Sequence, residues 1–210
     1  MAAVKLTKNE QKKQKDQLKQ FQRYLPTLQL KKQQLQMVIR QIEHEVNHLR
    51  SLQKELVAHL QSWVAVFHEN QTFETTLQLD HVVVVDKVIK AKGNIAGVPI
   101  PVFKELTFQP ITYDVDKYPL WVDRGVESLR EIARYDAMIA TLEKQIELLG
   151  RELRVTSQRV NLFEKVKIPE TKENIRKIGI YLGDQQTAAV VRGKIAKKKL
   201  LVKASGEGVA

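Results

Sequence analysis

Apolar residues recur at alternating steps of three and four along the N-terminal part of the chain, beginning at Leu18. A seam with this spacing, sustained over about seven heptads, is typical of a coiled-coil helix. Polar side chains interrupt it at Lys32 and Gln53, where they either fix the register of two paired helices or leave the shaft locally loose. The seam positions form two sets spaced by seven residues: Leu18, Leu25, Lys32, Ile39, Val46, Gln53, Leu60 and Phe67, and Phe21, Leu28, Leu35, Ile42, Leu49, Leu56 and Trp63.

A second seam with the same rhythm begins at Ile132 and predicts a long helix in the C-terminal half of the chain. It runs to Phe163, slips by about one residue near Pro169, and resumes at Ile175. Because proline cannot donate a helical hydrogen bond, the slip predicts a kink or a locally unwound turn. We further hypothesise that Pro26 lies opposite Pro169, so that both helices bend at one level.

The segment between the two seams has a different character. "HVVVVDKVIK" (81–90) is rich in β-branched residues that favour strands, and "IAGVPIPVFKELTF" (95–108) follows it. Gly93–Asn94 marks a turn, and the pair Pro99 and Pro101 marks a strand edge because proline cannot donate to a sheet ladder. The segment therefore predicts a small bulb, either a β-hairpin or three strands.

These patterns together predict a mainly α fold. We expect a long antiparallel two-helix coiled coil formed by the N- and C-terminal helices, with a small central β-hairpin bulb at the bend. The predicted segments are an N-terminal shaft helix at 1–70, the bulb at 71–118, a C-terminal shaft helix at 119–195, and a basic tail at 196–210. The sequence leaves open whether this tail is ordered or disordered.

Basic residues are concentrated at the two ends of the chain, whose net charge is +11 over 210 residues. Residues 1–40 hold ten Lys/Arg and two acids, residues 172–210 hold nine and three, and the centre is slightly acidic. An antiparallel hairpin of helices is expected to bring both basic ends to one tip. Such a tip suits an acidic protein surface, nucleic acid or anionic lipid.

Composition excludes several other classes of protein. The absence of cysteine excludes disulfides and thiolate metal sites and is compatible with a reducing cytoplasm. The N-terminal residues are charged where a signal peptide would be apolar, so we do not expect secretion. No apolar run approaches the roughly 18 residues of a membrane helix, so we expect no direct membrane insertion.

The stretch "HEVNH" matches the H-E-x-x-H pattern, in which two histidines on one helix face bind zinc and the glutamate acts as a base. Val46 belongs to the seam, so His44 and His48 are expected at flanking, outward positions. The extension that would supply a third ligand is missing, since positions 51 and 54 hold serine and lysine. We interpret the match as a coincidence and predict no metal site.

Two further motifs do not indicate a catalytic site. "GIYLG" (179–183) is a GxxxG pattern without the apolar 20-mer of a membrane dimer, and we interpret its glycines as allowing close approach of two helices or as thinning the tip of the shaft. "KIAKKKLLVK" (194–203) either binds phosphates or forms a solvated end. The chain has no Gly-rich phosphate loop, nucleophile elbow or carboxylate pair. We therefore predict no catalytic residues, no cofactor, and no enzymatic activity of the chain by itself.

Four stretches together resemble the D subunit of V/A-type (vacuolar/archaeal-type) ATPases. They are "RYLPTLQLKKQQL" (23–35), "NIAGVPIP" (94–101), "RVNLFEKVKIP" (159–169) and the tail "LGDQQTAAVVRGKIAKKK" (182–199). They span nearly the whole chain in the order that the family shows. The chain departs from the family's usual "RVNALE" with "RVNLFE", and it carries a glycine at 193 where the family usually has leucine.

The resemblance implies a role as the central rotor axle, a non-catalytic component that transmits torque between the catalytic A/B hexamer and the membrane ion-translocating ring. It implies coupling of ATP synthesis or hydrolysis to proton or sodium transport, and a place at the cytoplasmic, inner face of the plasma membrane. The implied partners are the A and B catalytic subunits, the F subunit and the C (d-type) subunit, with no nucleic acid.

We expect two groups of contact residues on this basis. The basic tip is expected to meet the catalytic ring through Lys12, Lys13, Lys15, Lys19, Arg192, Lys194 and Lys197. The bulb is expected to meet the F subunit through Val83, Val85, Phe103 and Leu106.

Two alternative functions fit a helical hairpin with basic ends. A prefoldin-like coiled-coil chaperone also joins two helical arms through β-hairpins, but its arm tips need exposed apolar residues rather than a concentration of lysine. A basic coiled coil that binds nucleic acid would show affinity that falls steeply with salt. The axle instead predicts tight, stoichiometric protein partners.

Overall fold

The computed structural model describes residues 4–62, 83–110 and 121–206, and it is mainly α-helical with one small sheet. This agrees with the predicted fold class. The elements in chain order are α1 (Lys8–Gln61), β1 (Val85–Ile95), β2 (Val98–Phe108), α2 (Trp121–Leu162), a π-helical segment (Phe163–Lys167) and α3 (Ile168–Gly206). The last two positions of the first seam, Trp63 and Phe67, lie outside the described residues.

The chain divides into two units, which we call the hairpin unit (Lys31–Val155) and the terminal unit (Met1–Leu30 with Thr156–Ala210). Each unit contains a part of α1 and a part of the C-terminal helices. Every predicted seam position from Leu18 to Leu60 is buried or half-buried, which confirms the seam in the described part of α1.

In the hairpin unit, α1 and α2 pack as an antiparallel pair. Lys31 Nζ lies 2.6 Å from Glu152 Oε1. Further along α1, Gln53 Nε2 donates a 2.7 Å hydrogen bond to Asp136 Oδ1, so the partner number falls as the α1 number rises. Gln53 is one of the two polar seam residues, and this bond supports its predicted role in setting register. The apolar core of the pair contains Leu35, Ile42, Val46, Leu49, Ile139 and Leu149.

In the terminal unit, the start of α1 pairs in the same antiparallel sense with the C-terminal helices. The rings of Phe21 and Phe163 stack with centroids 5.3 Å apart. Gln11 lies against Gly179, where an added Cβ would come within 3.4 Å of the glutamine amide nitrogen. The resumed seam is buried here, since Ile178 has no exposed surface.

The slip in the second seam coincides with the π-helical segment. The backbone N–H of Ile168 donates to the carbonyl of Phe163, five residues earlier, rather than four as in an α-helix. A π-turn accommodates one extra residue, so it corrects a seam that has moved by about one position. Pro169 follows directly and has no N–H for the carbonyl of Lys165. The predicted local unwinding near Pro169 is confirmed.

The hypothesis that Pro26 and Pro169 lie at one level is wrong. In the antiparallel pairing of the terminal unit, Phe163 faces Phe21 and Gly179 faces Gln11. Pro169 therefore lies opposite a residue between Gln11 and Phe21. Pro26 lies inside α1, outside that interval, and α1 continues through it.

The bulb contains a two-stranded antiparallel hairpin whose turn is Ala96–Gly97, with φ of 51° and 83°. Positive φ at both positions is the signature of a type I′ turn, which glycine adopts without strain. The side chain of Asn94 accepts a 2.9 Å hydrogen bond from the N–H of Gly97. The predicted turn at Gly93–Asn94 is wrong, because both residues lie within β1 and pair with β2.

The hairpin lies along α2, so it is not confined to the bend as expected. Buried Gln145 of α2 donates a 2.6 Å hydrogen bond to the carbonyl of Pro101. Nearer the start of α2, the guanidinium of Arg130 lies 5.4 Å from the ring centroid of Phe108. Val98 and Ile100 join the apolar core between the helices. This placement covers one face of the hairpin and leaves the other exposed.

Candidate partner-binding surfaces

The H-E-x-x-H match lies on an exposed part of α1. Val46 is 4% exposed within the core, whereas His44 and His48 are both exposed beside it, as predicted. Over residues 4–62, 83–110 and 121–206, no three His, Cys, Asp or Glu side chains lie close enough together to hold a metal ion. The pattern therefore assembles no metal centre in the described part of the chain.

The described helices are also unsuited to crossing a bilayer. None of them combines the length and the apolar character that a membrane-spanning segment requires.

The end of α3 extends beyond the start of α1. Gln11 faces Gly179, and α1 begins only three residues before Gln11, at Lys8. Every residue from Ala189 to Val202 is exposed. We call residues 189–202 the α3 tip, and no described residue of α1 lies opposite it.

The predicted basic contacts fall into two separate zones of the terminal unit. Exposed residues of α1 form the first, which we call the lysine zone: Lys12, Lys13, Lys15 and Lys19. The second lies on the α3 tip, where Arg192, Lys194 and Lys197 are exposed. Because Gln11 faces Gly179, Arg192 lies about 20 Å further along the helix, at about 1.5 Å per residue. The expected single basic end is therefore two successive zones.

The α3 tip also exposes large apolar side chains, which sequence reasoning missed. Val190, Ile195 and Leu200 are 58%, 51% and 68% exposed. They are five residues apart, and at about 100° per residue they project in three different directions around the helix. The signal was present in "AAVVRGKIAKKKLLVK", where apolar and basic residues alternate without a helical stripe. Clustered large apolar side chains that are exposed in this way indicate a surface that a partner covers.

The four hairpin residues expected to contact a partner are placed differently from one another. Val85 is 43% exposed, Val83 and Phe103 are half-buried, and Leu106 is only 5% exposed. Leu106 therefore presents little surface to a partner. Sequence reasoning missed three further exposed apolar residues of the hairpin: Val88, Ile89 and Val102. Register shifts in the hairpin disturb the strict alternation from which such positions are predicted.

The perturbed titratable groups belong to local surface interactions. Arg176 donates two hydrogen bonds to Glu173, at 2.8 and 2.9 Å, and lowers the pKa of that carboxyl. Burial raises the pKa of Tyr135, with a further contribution from its hydrogen bond to Glu131. The side-chain partners in these two shifts, Arg176 and Glu131, lie within about one helical turn of the groups they perturb, so both belong to local interactions along one helix.

Comparison with known proteins agrees with this architecture over nearly the whole chain. The family model for the ATP synthase D subunit matches residues 10–198. A V-type ATP synthase D subunit from Borreliella burgdorferi is 53% identical over 203 residues, covering 97% of this chain and 98% of that protein. The V-type ATP synthase D subunit of Chlamydia pneumoniae is 35% identical and covers 97% of each. The chain belongs to the ATP synthase D-subunit family.

Proposed function

We propose that this chain is the non-catalytic central shaft of a V/A-type rotary ATPase. In this role it transmits torque between the catalytic A/B hexamer and the membrane ion-translocating ring. It thereby couples ATP synthesis or hydrolysis to proton or sodium transport at the cytoplasmic face of the plasma membrane. The F subunit and the C (d-type) subunit are its other proposed partners.

The observation that carries the proposal is the surface of the α3 tip. Val190, Ile195 and Leu200 point in three directions and are more than half exposed. A flat partner would cover only one of these directions, whereas a ring of subunits would cover all of them. The exposed cations Arg192, Lys194 and Lys197 lie between these apolar residues and suit acidic or carbonyl-lined walls. An enclosing ring is therefore the partner that we propose for this surface. Exposed apolar residues at the tip also meet the requirement of the prefoldin-like alternative, which the experiment below distinguishes by its many substoichiometric clients.

The paired helices support the mechanical part of the proposal. In the hairpin unit the seam is closed by a buried apolar core and by the cross-helix bond from Gln53 to Asp136. Two helices joined in this way resist twisting better than a single helix does. The rotor must carry torque over a long distance, and this construction suits that task.

A single asymmetric helix inside a threefold ring also explains coupling. At any one moment the tip presents a different set of side chains to each of the three catalytic sites. Different contacts stabilise different conformations, so rotation of the tip shifts each site through them in turn. The chain then contributes to the nucleotide cycle without contacting the nucleotide.

The proposal is tested by removing the apolar side chains of the tip. We expect the triple variant Val190→Asn, Ile195→Gln, Leu200→Gln to lose recovery of the A/B hexamer in native mass spectrometry of the gently solubilised complex. All three residues are exposed, so helicity measured by circular dichroism should not change.

The matched control is Leu30→Gln, Met37→Gln, Val57→Gln, which removes three exposed apolar residues from α1 instead. We expect this control to retain the hexamer. Equal hexamer recovery with the tip variant and the unmodified chain would contradict the enclosure of the tip. Recovery of the unmodified chain with nucleic acid or many substoichiometric client proteins would contradict the shaft itself.

A further inference from the structure

The two outer edges of the β-hairpin differ. The outer edge of β2 contains Pro99 and Pro101, which have no N–H to donate, and its Pro101 carbonyl is occupied by Gln145. The outer edge of β1 has neither feature, since Val85–Ile95 contains no proline and its first six residues are all exposed. Within the described part of the chain, the outer edge of β2 is closed to strand addition and that of β1 is open.

The register of the hairpin identifies which main-chain groups face outward. Ile95 and Val98 flank the two-residue turn, so they exchange hydrogen bonds across the sheet. Antiparallel pairs alternate between bonded and non-bonded, so the main-chain groups of Asn94, Lys92 and Lys90 point away from β2. The same alternation turns the Pro101 carbonyl outward on β2, where Gln145 contacts it, in agreement with the assignment.

Apart from Asp86 and Asn94, the exposed side chains of β1 are basic or apolar. Lys87, Lys90 and Lys92 of β1 are all exposed. Val88 and Ile89 between them are 40% and 45% exposed. Lysines at a strand edge oppose pairing with a second copy of this chain, because two such edges would bring like charges together. They favour an incoming strand that carries carboxylates.

We propose that an extended, acidic segment of a partner protein adds to the outer edge of β1 as a third strand. Its main chain pairs with Lys90, Lys92 and Asn94, and its carboxylates lie beside the lysines. Apolar side chains of the same segment cover Val88 and Ile89. This interface does not depend on the proposed rotor function, because it needs only the geometry of the hairpin.

Hydrogen exchange of single amides tests the interface directly. In the free full-length chain, the amides of Lys90, Lys92 and Asn94 should exchange rapidly, while those of Gly93 and Ile95 are protected by β2. In the complex purified from the host, we expect the three outward amides to slow by more than about tenfold. Rapid exchange of all three in the complex would overturn the proposal. Native mass spectrometry of the same sample reports separately whether the catalytic hexamer is present. A failure of the proposed rotor function is thereby distinguished from a failure of strand addition.

A pair of substitutions separates strand addition from simple coverage. Lys92→Pro removes an outward N–H that makes no bond to β2, so the hairpin should be retained. The affinity of the chain for the partner that supplies the third strand should fall by about tenfold. Lys92→Gln removes the same charge but keeps the N–H, and we expect a smaller loss. Equal affinity of the two variants would overturn the main-chain pairing. Retained protection of the β2-bonded amide of Gly93 verifies that the proline variant is folded.

Discussion

The paired part of α1 and the tip of α3 are both helical and rich in apolar residues, yet those residues are buried in the first and exposed in the second. Leu35 has no exposed surface because α2 and the hairpin cover it. Leu200 is 68% exposed because no described element of the chain reaches it. The chain completes its own core in the first region, whereas in the second the described residues leave the apolar side chains uncovered, as the proposed enclosure by a ring requires.

The largest contrast is expected in stability. Leu35→Ala should lower the free energy of unfolding by about 2–5 kcal/mol, because it removes buried contacts and leaves a cavity. Leu200→Ala makes the same chemical change at an exposed site and should alter it by no more than about 0.5 kcal/mol. Urea unfolding followed by circular dichroism measures both. Similar losses for the two variants would mean that the tip is buried within the free chain.

The two basic zones should differ in how they act on partners. Reversing the tip cations (Arg192→Glu, Lys194→Glu, Lys197→Glu) should weaken binding to the catalytic hexamer by about tenfold, because the reversed charges would face the acidic or carbonyl-lined walls that we propose for the ring. Reversing the lysine zone (Lys12→Glu, Lys13→Glu, Lys15→Glu) should have a smaller effect, since these residues lie about 20 Å away along the helix. Binding measured at two salt concentrations checks both, and equal effects would show that the zones act as one surface.

The smallest expected effect concerns a surface ion pair in the paired part of α3. Arg176 lowers the pKa of Glu173, so the ionised Glu173 carboxyl adds to the free energy of unfolding at pH values above the ordinary carboxyl pKa. That contribution is lost as the pH falls through the lowered value. Arg176→Gln should return the pKa of Glu173 toward its ordinary value in an NMR titration. Arg159→Gln is the control, because it removes an exposed arginine from elsewhere on the helix surface. An unchanged Glu173 titration after Arg176→Gln would contradict the pairing.

Heptad spacing was a reliable guide wherever both partners came from this chain. The seam from Leu18 to Leu60 is buried or half-buried throughout its length. The one-residue slip correctly located the π-helical segment before Pro169. Both features follow from helix geometry, because a residue's face is set by its position in the repeat.

Local signals were weaker guides in the hairpin. Gly93–Asn94 has the composition of a turn, yet it lies inside β1, and the turn falls at Ala96–Gly97. At Gly93 an added Cβ would approach Val102 Cγ2 to 2.7 Å, so this glycine serves close packing between the strands. Composition identifies a glycine but does not distinguish a turn from a close approach.

By itself, the sequence determined the helical class of the protein, the two seams, the position of the irregular turn and the family resemblance. These depend on spacing along one chain, which a repeat of three and four residues encodes directly. Only the tertiary structure decided that the hairpin lies along α2, that Leu106 is buried, and that the two basic zones are separate. Those outcomes depend on the register of distant segments, which is set by the sum of many weak packing contacts rather than by any single local pattern.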